Sequence, residues 1–224
     1  MKRSLTFLYG HLTTIERDNM LQLEDMISNN IECLDDIFKK GYEIFCSELL
    51  ERENRPLLLG KFLYIDEREL HDGKANGFWH CSSMGEDDTK FDQDPCENDI
   101  TKELCKYKCD VRCESNFLKE KRRVPCVYRA NRIIWIRKII DLVNEKKFDC
   151  IKIWKCFNKR TRTKDLKIWY DDGIISYVLI FEIQYNENKN DIRMYVLKSG
   201  YPVVLKSYKR RFQKEFEIGK FKIK

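Results

Sequence analysis

The sequence predicts an α+β protein: a helical N-terminal extension, then a helix packed on a four-stranded antiparallel sheet. Three observations carry that expectation. Apolar side chains recur at helical spacing between residues 17 and 53. The segment NRIIWIRKIIDLVNEKK repeats that pattern, and from residue 149 the period changes to alternation in four runs joined by short connectors.

Taken in order, the first helical stretch places Leu21, Leu23, Met26, Ile27, Ile31, Leu34, Ile37, Phe38, Tyr42, Phe45 and Leu49 between acidic residues, as one or two amphipathic helices. Pro56 and Gly60 interrupt it, and Phe62 to Ile65 reads as a short strand. Residues 71 to 100 are dominated by Gly, Asp, Asn, Ser and Pro apart from Phe78 and Trp79, which predicts an irregular loop. Helical character returns over residues 101 to 120. After KEKRR and Pro125, Asn131 is placed to cap a helix whose one face carries Ile133, Ile136, Ile140 and Val143. Strands are expected at 149 to 157, 165 to 171, 174 to 184 and 191 to 199. Their connectors NKRTRTK, DDG and NENKN predict a meander.

Charge divides the chain more sharply than its net value of +6 suggests. Residues 1 to 104 carry 12 Lys/Arg against 23 Asp/Glu, and residues 105 to 224 carry 31 against 14. The expected organisation is an acidic, mostly helical region with a Cys/His-containing loop over 1–125 and a basic domain over 126–224. A basic module of this kind suits nucleic acid or an acidic partner, and an acidic segment in the same chain can shield it. The hydrophobic fraction of 42% with 36% charged residues argues against a disordered or fibrous chain. No apolar run approaches the roughly 20 residues that cross a bilayer, and the N-terminus lacks a secretory pattern. A cytoplasmic location without membrane partners is expected, with the ten cysteines as thiols or metal ligands.

Strand parity sorts side chains onto the two faces of the sheet. Ile151, Ile153, Leu166 and Ile168 fall on one face, and Lys152, Trp154, Lys167 and Trp169 on the other. Ile175, Tyr177, Leu179, Phe181 and Ile183 join the aliphatic face; Glu182, Arg193, Tyr195, Ser199 and Tyr201 are expected on the Lys-Trp face. Interleaved cations and aromatic rings suit single-stranded RNA, the cations meeting phosphates and Trp154 and Trp169 stacking on bases. Arg160 and Arg162 at the connector, with Lys209, Arg210 and Arg211 in the basic tail, extend the candidate RNA surface. The same tryptophans would equally serve as packing, with the lysines snorkelling to solvent.

From Tyr128 to Val203 the chain resembles the phage-associated branch of the barnase, EndoU, colicin and RelE-like ribonuclease superfamily. The resemblance rests on RANRIIWIRKII, KIW, KIWYDDG, YVLIFEIQ and MYVLKSGYPVVL in that order, preceded by GFWHC at residues 77 to 81. It implies helices on one side of an antiparallel sheet, an active site on the other, and metal-independent RNA cleavage by the ribose 2′-hydroxyl. Such chemistry needs a base, an acid for the leaving 5′-oxygen and cations for the phosphorane charge. The resemblance assigns the cations to Arg132, Lys152 or Lys167, and Arg193. His80 is the leading acid or base, Glu182 the alternative base, and Tyr201 or Tyr195 the donor to the leaving group. Where the branch carries Thr-Ala-Tyr this sequence reads LKSGY, so Ser199 stands in the hydroxyl's position. A toxin or phage-defence effector is implied, with RNA as partner and an inhibitor or antitoxin protein or the translation machinery as further partners. The alternative is a non-catalytic nucleic-acid-binding or phage-associated interaction protein.

Cys105, Cys109 and Cys113 recur at a spacing of four, and His80, Cys81, Cys96 or Cys126 would complete a tetrahedral zinc site. The spacing is not a CxxC knuckle. Buried thiols are the simpler account, so no cofactor is expected, with zinc as the minor alternative.

Overall fold

The computed structural model describes residues 34–85 and 122–219, apart from Ile174, Lys189 and Val204. The expected helices over 17–33 and 101–120 lie outside them. Helix α1, Leu34–Phe45, presents Ile37, Phe38 and Phe45 to the core. A wider π-helical turn over Cys46–Leu50 extends it and buries Leu49. Strand β1 follows at Phe62–Tyr64.

The described part of the expected irregular loop, to residue 85, is instead ordered, and residues 86–100 of it lie outside the described residues. Strands β2, Leu70–His71, and β3, Lys74–Ala75, pair around Asp72 and Gly73, whose φ values of 51° and 70° make a tight hairpin turn. Helix α2, Asn76–Ser82, then carries GFWHC, burying Phe78 and Trp79. Gly77 lets it approach the chain after β1, since a Cβ there would lie 2.7 Å from Ile65 Cγ2. Strands β4, Ser83–Gly85, and β5, Arg123–Pro125, pair and lead into helix α3, Val127–Ala130.

Helix α4 spans Ile134–Asn144 and buries Trp135, Ile136, Ile139, Ile140, Leu142 and Val143. Asn131 does not cap it. The chain stays helical from α3 into α4, with Ile133 N–H donating to Ala130 O at 3.3 Å, so Asn131 ends α3 and the first amides of α4 already have acceptors.

The principal sheet is mixed, with strand order β1-β9-β8-β7-β6. Strands β6, Ile151–Asn158; β7, Thr163–Asp171; β8, Ser176–Tyr185; and β9, Ile192–Pro202, form the expected antiparallel meander. The short strand expected over Phe62 to Ile65 is present, but its place in this sheet was not expected: β1 pairs parallel with β9, opposing Leu63 to Tyr195. One hydrophobic core runs from Ile37 and Phe45 through α4 to Ile168, Leu179 and Phe181, crossing residue 125.

The basic tail forms a fifth helix, α5, over Lys206–Gly219, which lies across the sheet face opposite α4. Tyr208, Phe212 and Phe216 fall at helical spacing, and Phe212 is fully buried. Among the described residues no helix is long and apolar enough to cross a membrane.

Candidate nucleic-acid interface

Cross-strand register assembles the Lys-Trp face as two adjacent rungs. Trp154 opposes Lys167, which opposes Ile180, which opposes Ser199. In the next rung Lys152 opposes Trp169, then Val178, then Tyr201. Each lysine therefore sits beside a tryptophan on the neighbouring strand, Lys152 Nζ lying 4.6 Å from the Trp169 ring centroid and Lys167 Nζ 5.9 Å from that of Trp154. The four residues share one face, as alternation predicts.

That face is not open. Helix α5 covers it, leaving Trp154 wholly inaccessible and Trp169 only 3% exposed. The Phe212 ring lies 5.7 Å from Trp154 and 6.0 Å from Trp169, centroid to centroid. The two tryptophans meet this phenylalanine at steep interplanar angles of 53° and 62°, and neither ring presents a free face to solvent. The lysines are engaged too. Lys152 Nζ donates to Gln213 Oε1 at 2.9 Å, and Lys167 Nζ donates to Glu215 Oε2 at 2.6 Å. The Trp154 indole N–H donates to the same carboxylate oxygen at 3.2 Å, and Arg211 Nε lies 3.7 Å from Glu215 Oε1.

Two bulges decide which β9 side chains join this face. An extra residue at Lys198 interrupts the pairing between Phe181 with Leu197 and Ile180 with Ser199. Tyr195 and Leu197 therefore point to the core with α4, while Ser199 and Tyr201 point to α5. The expectation that Tyr195 shares a face with Tyr201 fails for this reason; Tyr195 packs against Phe181 in the core at 6.5 Å. Arg193 is the extra residue of the second bulge, exposed, and roughly 25 Å along the strand from Tyr201. Glu182 lies on the α5 side, one rung beyond Lys167, beside the buried Asp165, and it accepts from Lys198 Nζ at 3.1 Å.

Arg132, an expected holder of phosphate charge, is buried. Only 1% exposed, it stacks on the Tyr128 ring at 3.3 Å and donates from Nη1 to the Tyr128 carbonyl, fixing the turn between α3 and α4. Arg129, which sequence reasoning passed over, lies with its guanidinium 5.0 Å from the Tyr201 centroid. Arg129 Nη1 donates to the Ser83 carbonyl at 2.6 Å, and Arg123 Nη2 donates to the same oxygen at 2.8 Å. Burial pushes the Tyr201 phenol up to about 12 against the opposing pull of Arg129 and Arg211, so it remains a proton donor at neutral pH.

His80 lies in the last turn of α2, half-buried, and its backbone carbonyl accepts from Ser199 Oγ at 3.1 Å. The bond ties α2 to the edge of β9 beyond the reach of β1. Arg160 and Arg162 are exposed at the β6–β7 turn, Arg162 with φ of 57°. On α5, Arg210 and Arg211 are exposed, and Lys209 Nζ pairs with Asp171 Oδ1 at 3.3 Å. Cys96, Cys105, Cys109 and Cys113 lie outside the described residues. Cys81 and Cys126 are buried, and burial raises the Cys81 thiol to about 12. Among the described residues no three His, Cys, Asp or Glu side chains come together as a metal site.

Sequence reasoning missed α5 and Glu215. The signal was the spacing of Tyr208, Phe212 and Phe216, an aromatic stripe at intervals of four within a segment treated as a charged tail. The chain matches no family model, no curated protein and no solved structure.

Proposed function

We propose that the chain is a metal-independent endoribonuclease whose RNA site is the α5-facing side of the sheet. One observation carries the reading. The strand register brings Lys152, Lys167, Ser199 and Tyr201 into adjacent rungs, with Arg129 over Tyr201. In this reading Lys167, Lys152 and Arg129 hold the phosphate charge, and the protonated Tyr201 phenol donates to the leaving 5′-oxygen. His80 takes the 2′-hydroxyl proton, its helix positioned by the Ser199 bond. Helix α4 on one face of the meander and the site on the other match what the ribonuclease resemblance implies, while α5 over the site is an addition to it.

Total cellular RNA incubated with purified protein and a chelator is expected to yield new ends carrying 2′,3′-cyclic phosphate, reduced by Tyr201→Phe and Lys167→Ala. Intact RNA with every preparation overturns the catalytic reading. A second reading, RNA binding without turnover, is favoured by Arg193, an expected charge holder at the far end of β9 from Tyr201, and by the burial of Arg132 against Tyr128. It predicts salt-sensitive binding and unchanged RNA ends.

A further inference from the structure

We propose that helix α5 is an internal lid on this face, with the Glu215 carboxylate standing in the place of an RNA phosphate until single-stranded RNA displaces it. The proposal rests on the reading of this face as an RNA site and adds its regulation.

The chemistry of the contact is the first ground. One carboxylate oxygen receives the Lys167 ammonium at 2.6 Å and the Trp154 indole N–H at 3.2 Å, both from the sheet. These are donors with no acceptor capacity, and a phosphodiester oxygen satisfies them as a carboxylate does. Phe212 supplies the second surrogate. Its ring packs tilted at 53° against Trp154 and edge-on at 62° to Trp169, so the helix brings an aromatic group and an anion to the two tryptophans together.

The hold of the helix is the third ground. Only Phe212 is fully buried, while Tyr208 and Phe216 are partly buried; the opposite face of the sheet is sealed by six buried side chains of α4. The outer side of α5 exposes Lys206, Arg210, Arg211 and Lys214, cations that draw a polyanion toward the lid. At its far end Gly219 lies against the β6 backbone, where a Cβ would collide with the Lys155 carbonyl, so the docked position is closely specified.

The test is binding of a short fluorescein-labelled oligouridylate to full-length protein, by anisotropy at fixed salt. Glu215→Gln is expected to tighten binding about tenfold, and adding Lys167→Ala to abolish that gain. Glu217→Gln, which removes an equal charge from an exposed position on the same helix, is expected to change affinity by less than about twofold. Phe212→Leu, which keeps apolar volume but removes the ring, is expected to shift affinity in the same direction as Glu215→Gln. Hydrogen exchange of α5 should quicken in both variants while α4 stays protected. If wild type and Glu215→Gln bind equally and Lys167→Ala weakens both, the lid is overturned and the RNA site stands. If Lys167→Ala changes nothing in any background, the RNA site itself is overturned.

Discussion

Phe212→Ala is the sharpest probe of how α5 is held. The phenylalanine is fully inaccessible and fills the space between Trp154 and Trp169, with the Lys167 ammonium 5.1 Å from its ring centroid. Truncating a buried phenylalanine to alanine costs about 3–5 kcal/mol in transfer and cavity terms. An isolated helix of this length is marginal in water, so tertiary packing supplies most of the stability of α5. At about 1.4 kcal/mol per decade, the docking equilibrium should fall by about two to three and a half decades. Amide exchange read residue by residue should show Lys206–Gly219 accelerating by about a hundredfold or more while Ile134–Asn144 is unchanged. Tryptophan emission should shift to the red as Trp154 and Trp169 become hydrated. If the variant loses the same free energy in global unfolding, with α5 exchanging no faster than α4, the helix belongs to the cooperative core and the reasoning that makes it separable is refuted.

Two further outcomes follow from packing and titration. Gly219→Ala places a methyl against the Lys155 carbonyl, and overpacking of that kind costs about 1–3 kcal/mol; the melting temperature should drop by a few degrees, and an unchanged melt would show that the helix end adjusts freely. Burial holds the Tyr195 and Tyr201 phenols at about 12, above the ordinary value of 10.0. Their contribution is complete below pH 10 and is lost as pH rises from 10 towards 12, on the order of 2 kcal/mol each, so urea midpoints should fall through that window and fall less in Tyr201→Phe.

The sheet was legible because alternation and turn chemistry are local. KIWKCF and DLKIWY each sort into an aliphatic and a Lys-Trp face without knowledge of their partner, and the pairing of Lys152 with Trp169 and Trp154 with Lys167 follows once the connector closes. The fourth strand was misread in its middle because each bulge inserts one residue and inverts parity beyond it. Tyr195 and Tyr201 have the same parity in sequence and opposite faces in space. No composition signal marks the Lys198 bulge. The parallel pairing of β1 with β9 was hidden for a different reason: it joins segments more than a hundred residues apart, and a three-residue strand has too short a period to announce a partner. Helix α5 carried its signal in three aromatic positions, outweighed in reading by the cations around them.

Whether the charged pair beneath α5 serves stability can be separated from whether it serves binding. Lys167 is 12% exposed and Glu215 27%, so both ions give up much of their hydration to meet at 2.6 Å. For pairs so placed, attraction roughly offsets desolvation, and exchanging both partners for neutral groups is often neutral or stabilising by about 1–4 kcal/mol. The informative double variant is Lys167→Met with Glu215→Gln, because glutamine keeps an acceptor for the Trp154 indole and methionine keeps the length of the lysine stem. Leaving that indole unsatisfied would add a cost of about 1–3 kcal/mol unrelated to the ion pair. Measured by urea unfolding, the double variant should be unchanged or up to about 2 kcal/mol more stable, while single Lys167→Met, which strands the carboxylate, should be less stable than either. A loss of more than about 1 kcal/mol in the double variant would assign the pair to holding the fold. A neutral or stabilising result, together with lost oligouridylate binding, would mean that Lys152, Lys167 and Glu215 persist beneath the aromatic side of α5 for the anion that they exchange.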